Sequence, residues 1–216
     1  MSRDDFLNRL VARAGAAGVD VSPGVATQFE SYYRLLAHWN ASINLTALKL
    51  EPVNDHAIDR LLIEPLTASQ YLSMESPVWF DLGSGGGSPA IPLKVARPAF
   101  RLTMVESRER KAAFLREAIR VLDLEGASVE ADRIETVAER NPFAGSVDLI
   151  TVRAVRIDPP LFGAMKALLR FGGRVVLFGA RPEGPVVQKG FRILDHPATL
   201  LGSASDVVVL ERTGGL

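Results

Sequence analysis

The chain has 216 residues, 47% of them hydrophobic, which suits one domain with a sizeable core. Its 25 basic and 25 acidic side chains cancel, so no global field draws it to a polyanion and any such site has to be a local patch. With no cysteine and three histidines, disulfides, thiolate metal sites and cysteine nucleophiles are excluded, and a metal site is not expected. The opening MSRDDFLNRL is charged and lacks an apolar signal core, and no apolar run approaches the ~20 residues that a membrane span needs. A soluble, cytoplasmic protein with no membrane partner is the expectation.

Ser2, Asp4 and Asp5 predict a capped first helix that ends near the small-residue stretch Ala14–Gly18. Ser22-Pro23 then reads as an N-cap followed by a proline at the first helical position. From there Val25, Phe29, Tyr32, Leu36 and Trp39 step by four, three, four and three, the stripe of an amphipathic helix with Trp39 in the core. A third helical segment, roughly Val53 to Leu72, follows the loop Asn40–Leu50. Residues 1–75 therefore read as a helical N-terminal extension. The rest alternates. Val78–Leu82, Arg101–Glu106, Ser128–Ala131, Val147–Val152 and Arg174–Phe178 are short runs fit for buried strands, with helical candidates at Ala90–Arg97, Glu109–Leu122 and Pro160–Leu169 between them. Such alternation predicts an α/β fold with a doubly wound, mostly parallel sheet and right-handed crossovers. After Gly190 the pattern changes, and Phe191–Leu194 with Asp206–Glu211 are candidates for a terminal, antiparallel strand pair. No repeat or flexible linker divides the chain, so one domain over residues 1–216 is expected, with its α/β core at 76–216.

The first strand runs into Gly83-Ser84-Gly85-Gly86-Gly87-Ser88. In a doubly wound fold, ligands bind beyond the carboxyl ends of the strands, where this loop should lie. Gly83, Gly85 and Gly87 can take positive φ and let a ligand approach the backbone, and Pro89 and Pro92 are tolerable near the first turn of the next helix. A turn that uses glycine for geometry alone is the alternative. The dinucleotide pattern wants glycine where Ser88 stands, and no Gly-Lys-Ser/Thr follows to make a phosphate-binding P-loop. Asp81 sits two residues before the first glycine; a carboxylate there repels a pyrophosphate and favours an ammonium or sulfonium group. S-adenosyl-L-methionine carries both. Glu106, nineteen residues beyond Gly87 at the end of the second strand, is placed either to accept ribose hydroxyls or to sit solvated at the strand end.

Several segments, in order and at compatible spacings, resemble the bacterial small-subunit rRNA guanine-N7 methyltransferases, the RsmG (GidB) family. They include Trp39-Asn40, Asn44-Leu45-Thr46, His56-Ala57-Ile58-Asp59, the glycine loop with Ile91-Pro92-Leu93, and Arg97-Pro98. Glu106-Ser107, Lys111, Phe114-Leu115, Arg133-Ile134-Glu135, Arg153-Ala154 and Gly172-Gly173-Arg174 continue the match. The glycine loop is generic to class I methyltransferases; its union with the helical Trp-Asn…Asn-Leu-Thr segment is what is specific. Four departures stand out. Ser88-Pro89-Ala90 replaces Phe-Pro-Gly, Glu106 replaces Asp, Asp59-Arg60-Leu61 replaces Asp-Ser-Leu, and Phe178-Gly179 replaces a frequent Lys-Gly.

The resemblance implies a class I methyltransferase (Rossmann-like) fold and S-adenosyl-L-methionine contacts at Gly83, Ser88, the Ile134-Glu135 pair and Arg153. Glu135, in a loop after the third strand, would meet the adenine edge, unless it and Arg133 only cap a surface helix. Arg153 would hold the methionine carboxylate, an RNA phosphate, or a structural ion pair. The implied partner is 16S ribosomal RNA, within the small ribosomal subunit, with the 530-loop region as target. Lys111 lies on a helix crowded with Arg108, Arg110, Arg116 and Arg120, which is otherwise an ordinary solvated face. Asn44 and His56 either position the target base or brace the helical region against the sheet. Guanine N7 already carries a lone pair, so no general base is required and no catalytic acid or base is assigned. The alternatives are a methyltransferase acting on a small molecule or protein, an NAD-dependent oxidoreductase, for which no hydride-transfer partner is evident, and a binding module with a degenerate cofactor loop.

Overall fold

The computed structural model describes residues 2–69, 72, 77–179, 190–195 and 207–214. The helical region begins with α1 (Arg3–Ala16) and α2 (Pro23–Asn40). Ser22 caps α2 by accepting the Val25 N–H at 3.4 Å, ahead of Pro23. Ser2 stands at the N-cap of α1 without a side-chain hydrogen bond, so the first turn relies on Asp4 and Asp5 at the positive end of the helix dipole, with Asp5 also paired to Arg9 at 3.0 Å. The expected third helix resolves into α3 (Asp55–Ile58), a π-helical turn (Asp59–Ile63) and α4 (Glu64–Ala68). Asn54 caps α3 by accepting the Ala57 N–H at 3.0 Å.

Among the described residues the sheet has seven strands in the order β3-β2-β1-β4-β5-β7-β6. They are β1 (Val78–Leu82), β2 (Arg101–Val105), β3 (Ala127–Glu130), β4 (Val147–Arg153), β5 (Leu169–Phe178), β6 (Phe191–Asp195) and β7 (Val207–Arg212). Strands β1 to β5 pair in parallel, and β7 runs antiparallel to both β5 and β6. The terminal pair is therefore antiparallel as expected; Asp206, read as its start, lies outside the described residues. The strand order reverses between β1 and β4, which opens a crevice at their carboxyl ends.

Helices α5 (Ala90–Ala96), α6 (Glu109–Leu122), α7 (Ile134–Ala138) and α8 (Pro159–Leu168) complete the fold. Alternation along the strands sends side chains to two faces. Trp79, Leu102, Met104, Leu149 and Val176 pack with α2, α5, α6 and the rest of the N-terminal region. Phe80, Leu82, Ile150, Val152, Val175 and Leu177 pack with α7 and α8. Phe29, Tyr32 and Leu36 of the α2 stripe are buried, while Trp39 is half-buried and meets Phe114 of α6 edge-on at 5.9 Å. Two readings need correction. Glu135 is not in a loop but in the first turn of α7, with Arg133 at its N-cap position. Strand β5 starts earlier than its apolar run, because a register shift between Val147 and Leu149 accommodates Gly172 at φ +73.

Because the N-terminal helices share one core with the sheet, the two regions should unfold together. Urea melts followed by far-UV circular dichroism should coincide with melts followed by Trp79 fluorescence in a Trp39→Phe variant. Two separated midpoints would contradict a shared core.

Candidate functional site

The glycine loop is held by its own backbone. The N–H groups of Gly83 and Ser84 both donate to the Val105 carbonyl, at 2.9 and 3.1 Å, so the loop leaves β1 bent over the end of β2. Gly87 N–H donates to Ser84 O at 2.7 Å, and Ile91 N–H to Gly87 O at 2.7 Å, which starts α5. Gly83, Gly85 and Gly87 have φ of +73, +52 and +87. The expectation that all three leave room for a ligand holds at one of them. A Cβ on Gly83 would stand 2.5 Å from Val155 Cγ2, and one on Gly87 would stand 2.4 Å from Ile91 Cδ1. At Gly85 the nearest atom is the Gly83 carbonyl oxygen, 3.8 Å away, so the open side of the loop is there.

Two groups brace this opening. Glu106, 7% exposed, accepts the Gly85 N–H with Oε2 and the Arg108 N–H with Oε1, both at 2.9 Å. From the opposite side, Tyr32 donates its hydroxyl to the Gly86 carbonyl at 2.7 Å. Asn40 Oδ1 accepts from the N–H groups of Leu45 and Thr46, at 2.9 and 3.0 Å, and so folds the Asn44-Leu45-Thr46 segment against the loop. The Leu45 carbonyl then lies 3.2 Å from a Cβ position on Gly86, so a larger side chain there would press on the segment.

Around the loop lie two cavities. The larger, about 700 Å³, is lined by Gly83, Gly85, Ser88, Glu106 and Arg153 from the sheet side, by Asn44 and Arg60 from the N-terminal region, and by Arg108 and Lys111 from the start of α6. The smaller, about 140 Å³, is lined by Asp132, Arg133, Ile134 and Glu135, and shares Gly83 and Glu106 with the larger. Nine of the eleven residues expected at the site therefore line one or both cavities. Asp81 and His56 line neither. His56 is solvent-exposed on α3. Arg116 and Arg120 pair with Glu109 and Glu117 on the exposed face of α6, the solvated arrangement expected of them.

A family model described as rRNA small subunit methyltransferase G (GidB) matches residues 25–193. A ribosomal RNA small subunit methyltransferase G from Stenotrophomonas maltophilia is 36% identical over 206 residues, covering 93% of this chain and 92% of its own. One of the same name from Roseiflexus sp. is 33% identical over 205 residues, covering 91% and 86%. The chain belongs to this family. Among solved structures, MtNAS in complex with MTA and tNA aligns with a TM-score of 0.58 at 13% identity, covering 98% of this chain and 74% of that one. TrmN from Thermus thermophilus aligns at 0.52 and 23%, covering 68% and 48%. These likenesses bear on the fold, a class I methyltransferase sheet with helices on both faces.

Three of the four departures from the methyltransferase G pattern converge on Arg153. Its Nη1 donates to the Ser88 hydroxyl at 2.9 Å and to the Arg60 carbonyl at 2.5 Å, and its Nη2 pairs with Glu64 at 2.6 Å. The guanidinium carbon lies 4.7 Å from the centroid of the Phe178 ring, where a lysine would have opposed it. Burial pushes this guanidinium down to about 10, while the charge of Glu64 pulls it back up. Arg60 and Glu64 were not anticipated as site residues. A local signal existed: Arg60 and Glu64 are the two charges, four apart, in the otherwise apolar stretch Arg60–Leu66.

Asp81 is 1% exposed and accepts the Thr151 hydroxyl at 2.5 Å; Thr151 in turn accepts the Trp79 indole N–H at 2.9 Å. Asp81 and Thr151 are register partners on β1 and β4, so strand pairing itself makes the contact. Burial pushes the Asp81 carboxyl from its ordinary 3.8 up to about 6, although the Thr151 hydrogen bond pulls it down. A raised carboxyl contributes stability that is present below its unfolded value and lost as pH rises through its folded value. Wild-type stability should therefore fall between pH ~4 and ~6 by about 3 kcal/mol relative to an Asp81→Asn variant. Urea titrations across that range test this; identical pH slopes in the two proteins would refute it.

Proposed function

We propose that this protein transfers a methyl group from S-adenosyl-L-methionine to N7 of one guanine in the 530-loop region of 16S ribosomal RNA. The observation that carries the reading is the pair of cavities meeting at Glu106 under the open side of Gly85, in a chain of the methyltransferase G family. The residues fit the cofactor's parts. Ile134 and Glu135 receive the adenine in the smaller cavity. Glu106 accepts ribose hydroxyls through the lone pairs left beside its two backbone bonds. Gly85 admits the chain of the amino-acid end with Gly83 lining the passage beside it, Ser88 and Arg153 face its carboxylate, and Asp81 supplies negative charge behind the loop.

The remaining wall of the larger cavity, with Asn44 and Lys111, receives the RNA. The guanine N7 lone pair would form the new N–CH3 bond as the S–CH3 bond breaks, its electron pair staying on sulfur and S-adenosylhomocysteine leaving, so the work of the site's residues is alignment and exclusion of water. Because net charge is zero, long-range attraction cannot supply the affinity. An assembled small subunit in the cytoplasm, with a preformed surface, is the substrate this chemistry suits. His56, exposed on α3, contacts that surface outside the cavity.

Incubation with labelled S-adenosyl-L-methionine and small subunits lacking their own modification should place label in 16S rRNA. Methylated N7 carries a fixed positive charge, so reduction and aniline cleavage should map the product to one guanine in the 530-loop region. Lys111→Glu should lower the rate and flatten its salt dependence while leaving cofactor affinity unchanged. Label found only in protein or small molecules would overturn the assignment, and cleavage at another guanine would overturn the target.

A further inference from the structure

Glu64 is 1% exposed at the start of α4, directly after the π-helical turn. Its Oε1 accepts from Arg60 Nη1 at 2.5 Å and its Oε2 from Arg153 Nη2 at 2.6 Å. Arg60 and Arg153 both line the larger cavity; Glu64 does not. The carboxylate thus sits behind the wall and joins two cations that form it. Two guanidinium groups against one carboxylate leave the cluster with net positive charge on the cavity side. One buried donor, Arg153 Nε, has no hydrogen-bond partner. The other groups in contact with Arg153 are the Ser88 hydroxyl, the Arg60 carbonyl and the Phe178 ring, so Glu64 is the carboxylate paired with it, while the buried Asp81 adds a smaller electrostatic pull.

We propose that Glu64 is a positioning residue. It fixes Arg60 and Arg153 as a pair on the cavity wall, and through them it sets the preference for a nucleoside carrying a carboxylate-bearing tail over the same nucleoside without one. The proposal rests on the reading of these cavities as the cofactor site. Its physical basis is that a guanidinium presents its donors at a fixed fork, so its usefulness to a carboxylate depends on its orientation. Without Glu64, Arg153 is a buried cation lacking its counter-ion, and it is driven to turn towards water.

The test compares S-adenosylhomocysteine with 5′-methylthioadenosine, which shares the adenosine and thioether but lacks the amino-acid tail. Calorimetry measures both on the unaltered protein, on Glu64→Gln and on Glu64→Asp, with thermal melts and near-UV circular dichroism to show that each is folded. The unaltered protein should prefer S-adenosylhomocysteine. Glu64→Gln should reduce that preference about tenfold, with methylthioadenosine affinity held within about twofold. Glu64→Asp keeps the charge but is too short to span both cations, so it should lose part of the preference; it carries the comparison if the glutamine variant does not fold. A preference that stays the same or rises, or a parallel loss of both ligands, would overturn the positioning role. Failure of both nucleosides to bind the unaltered protein would overturn the cofactor reading and the proposal with it, a result separable from the others.

Discussion

The Glu106 carboxylate joins three pieces of this fold. One oxygen takes the Gly85 N–H and the other the Arg108 N–H, so the end of β2, the glycine loop after β1 and the entry to α6 are tied at one point. Hydrogen bonds to an ionised acceptor are worth roughly 1.5–3 kcal/mol each. They hold Gly85 at φ +52, with no protein atom nearer to its open side than the Gly83 carbonyl oxygen at 3.8 Å. Both cavities include this residue. A glutamate reaches further than the aspartate usual at this position in the family, and here that reach bridges to two backbone donors.

The N-terminal helices are part of the same construction. Tyr32 holds the Gly86 carbonyl, Leu36 and Leu45 pack on Gly86, and Asn40 shapes the segment that carries Asn44 to the larger cavity. The Trp-Asn…Asn-Leu-Thr pattern thus has a physical account. Trp39 packs on Phe114, Asn40 caps the returning loop, and Asn44 is left exposed at the cavity wall. On the other side, the π-helical turn brings the Arg60 carbonyl onto Arg153 and the Leu61 carbonyl onto the Ser88 hydroxyl at 2.8 Å. A π turn frees backbone acceptors that an α-helix would use, which is one reason such turns recur at functional sites.

What could be read before the structure was mostly local. The α2 stripe, the alternation of apolar runs with helical segments and the acid nineteen residues after the glycines are short-range patterns, and they are enough to place the sheet and its loop. What escaped depends on residues distant in the chain. Arg153 and Glu64 are 89 residues apart, and Asp81 and Thr151 are 70 apart; only strand register and helix docking bring them together. The same limit misled the reading of Gly83, where Val155 fills the space a ligand was expected to use. Helix α7 was missed because its Ile134–Ala138 span is too short for a helical period to show.

On the proposed function, the two cavities form one continuous cofactor site with Glu106 at its middle. A crystal structure with S-adenosylhomocysteine tests it most directly. The purine should lie between Ile134 and Glu135, the ribose hydroxyls on the Glu106 carboxylate, and the tail should pass Gly85 towards Ser88 and Arg153. A purine seated in the larger cavity beside Asn44 and Lys111, with Glu106 free of the ribose, would contradict it.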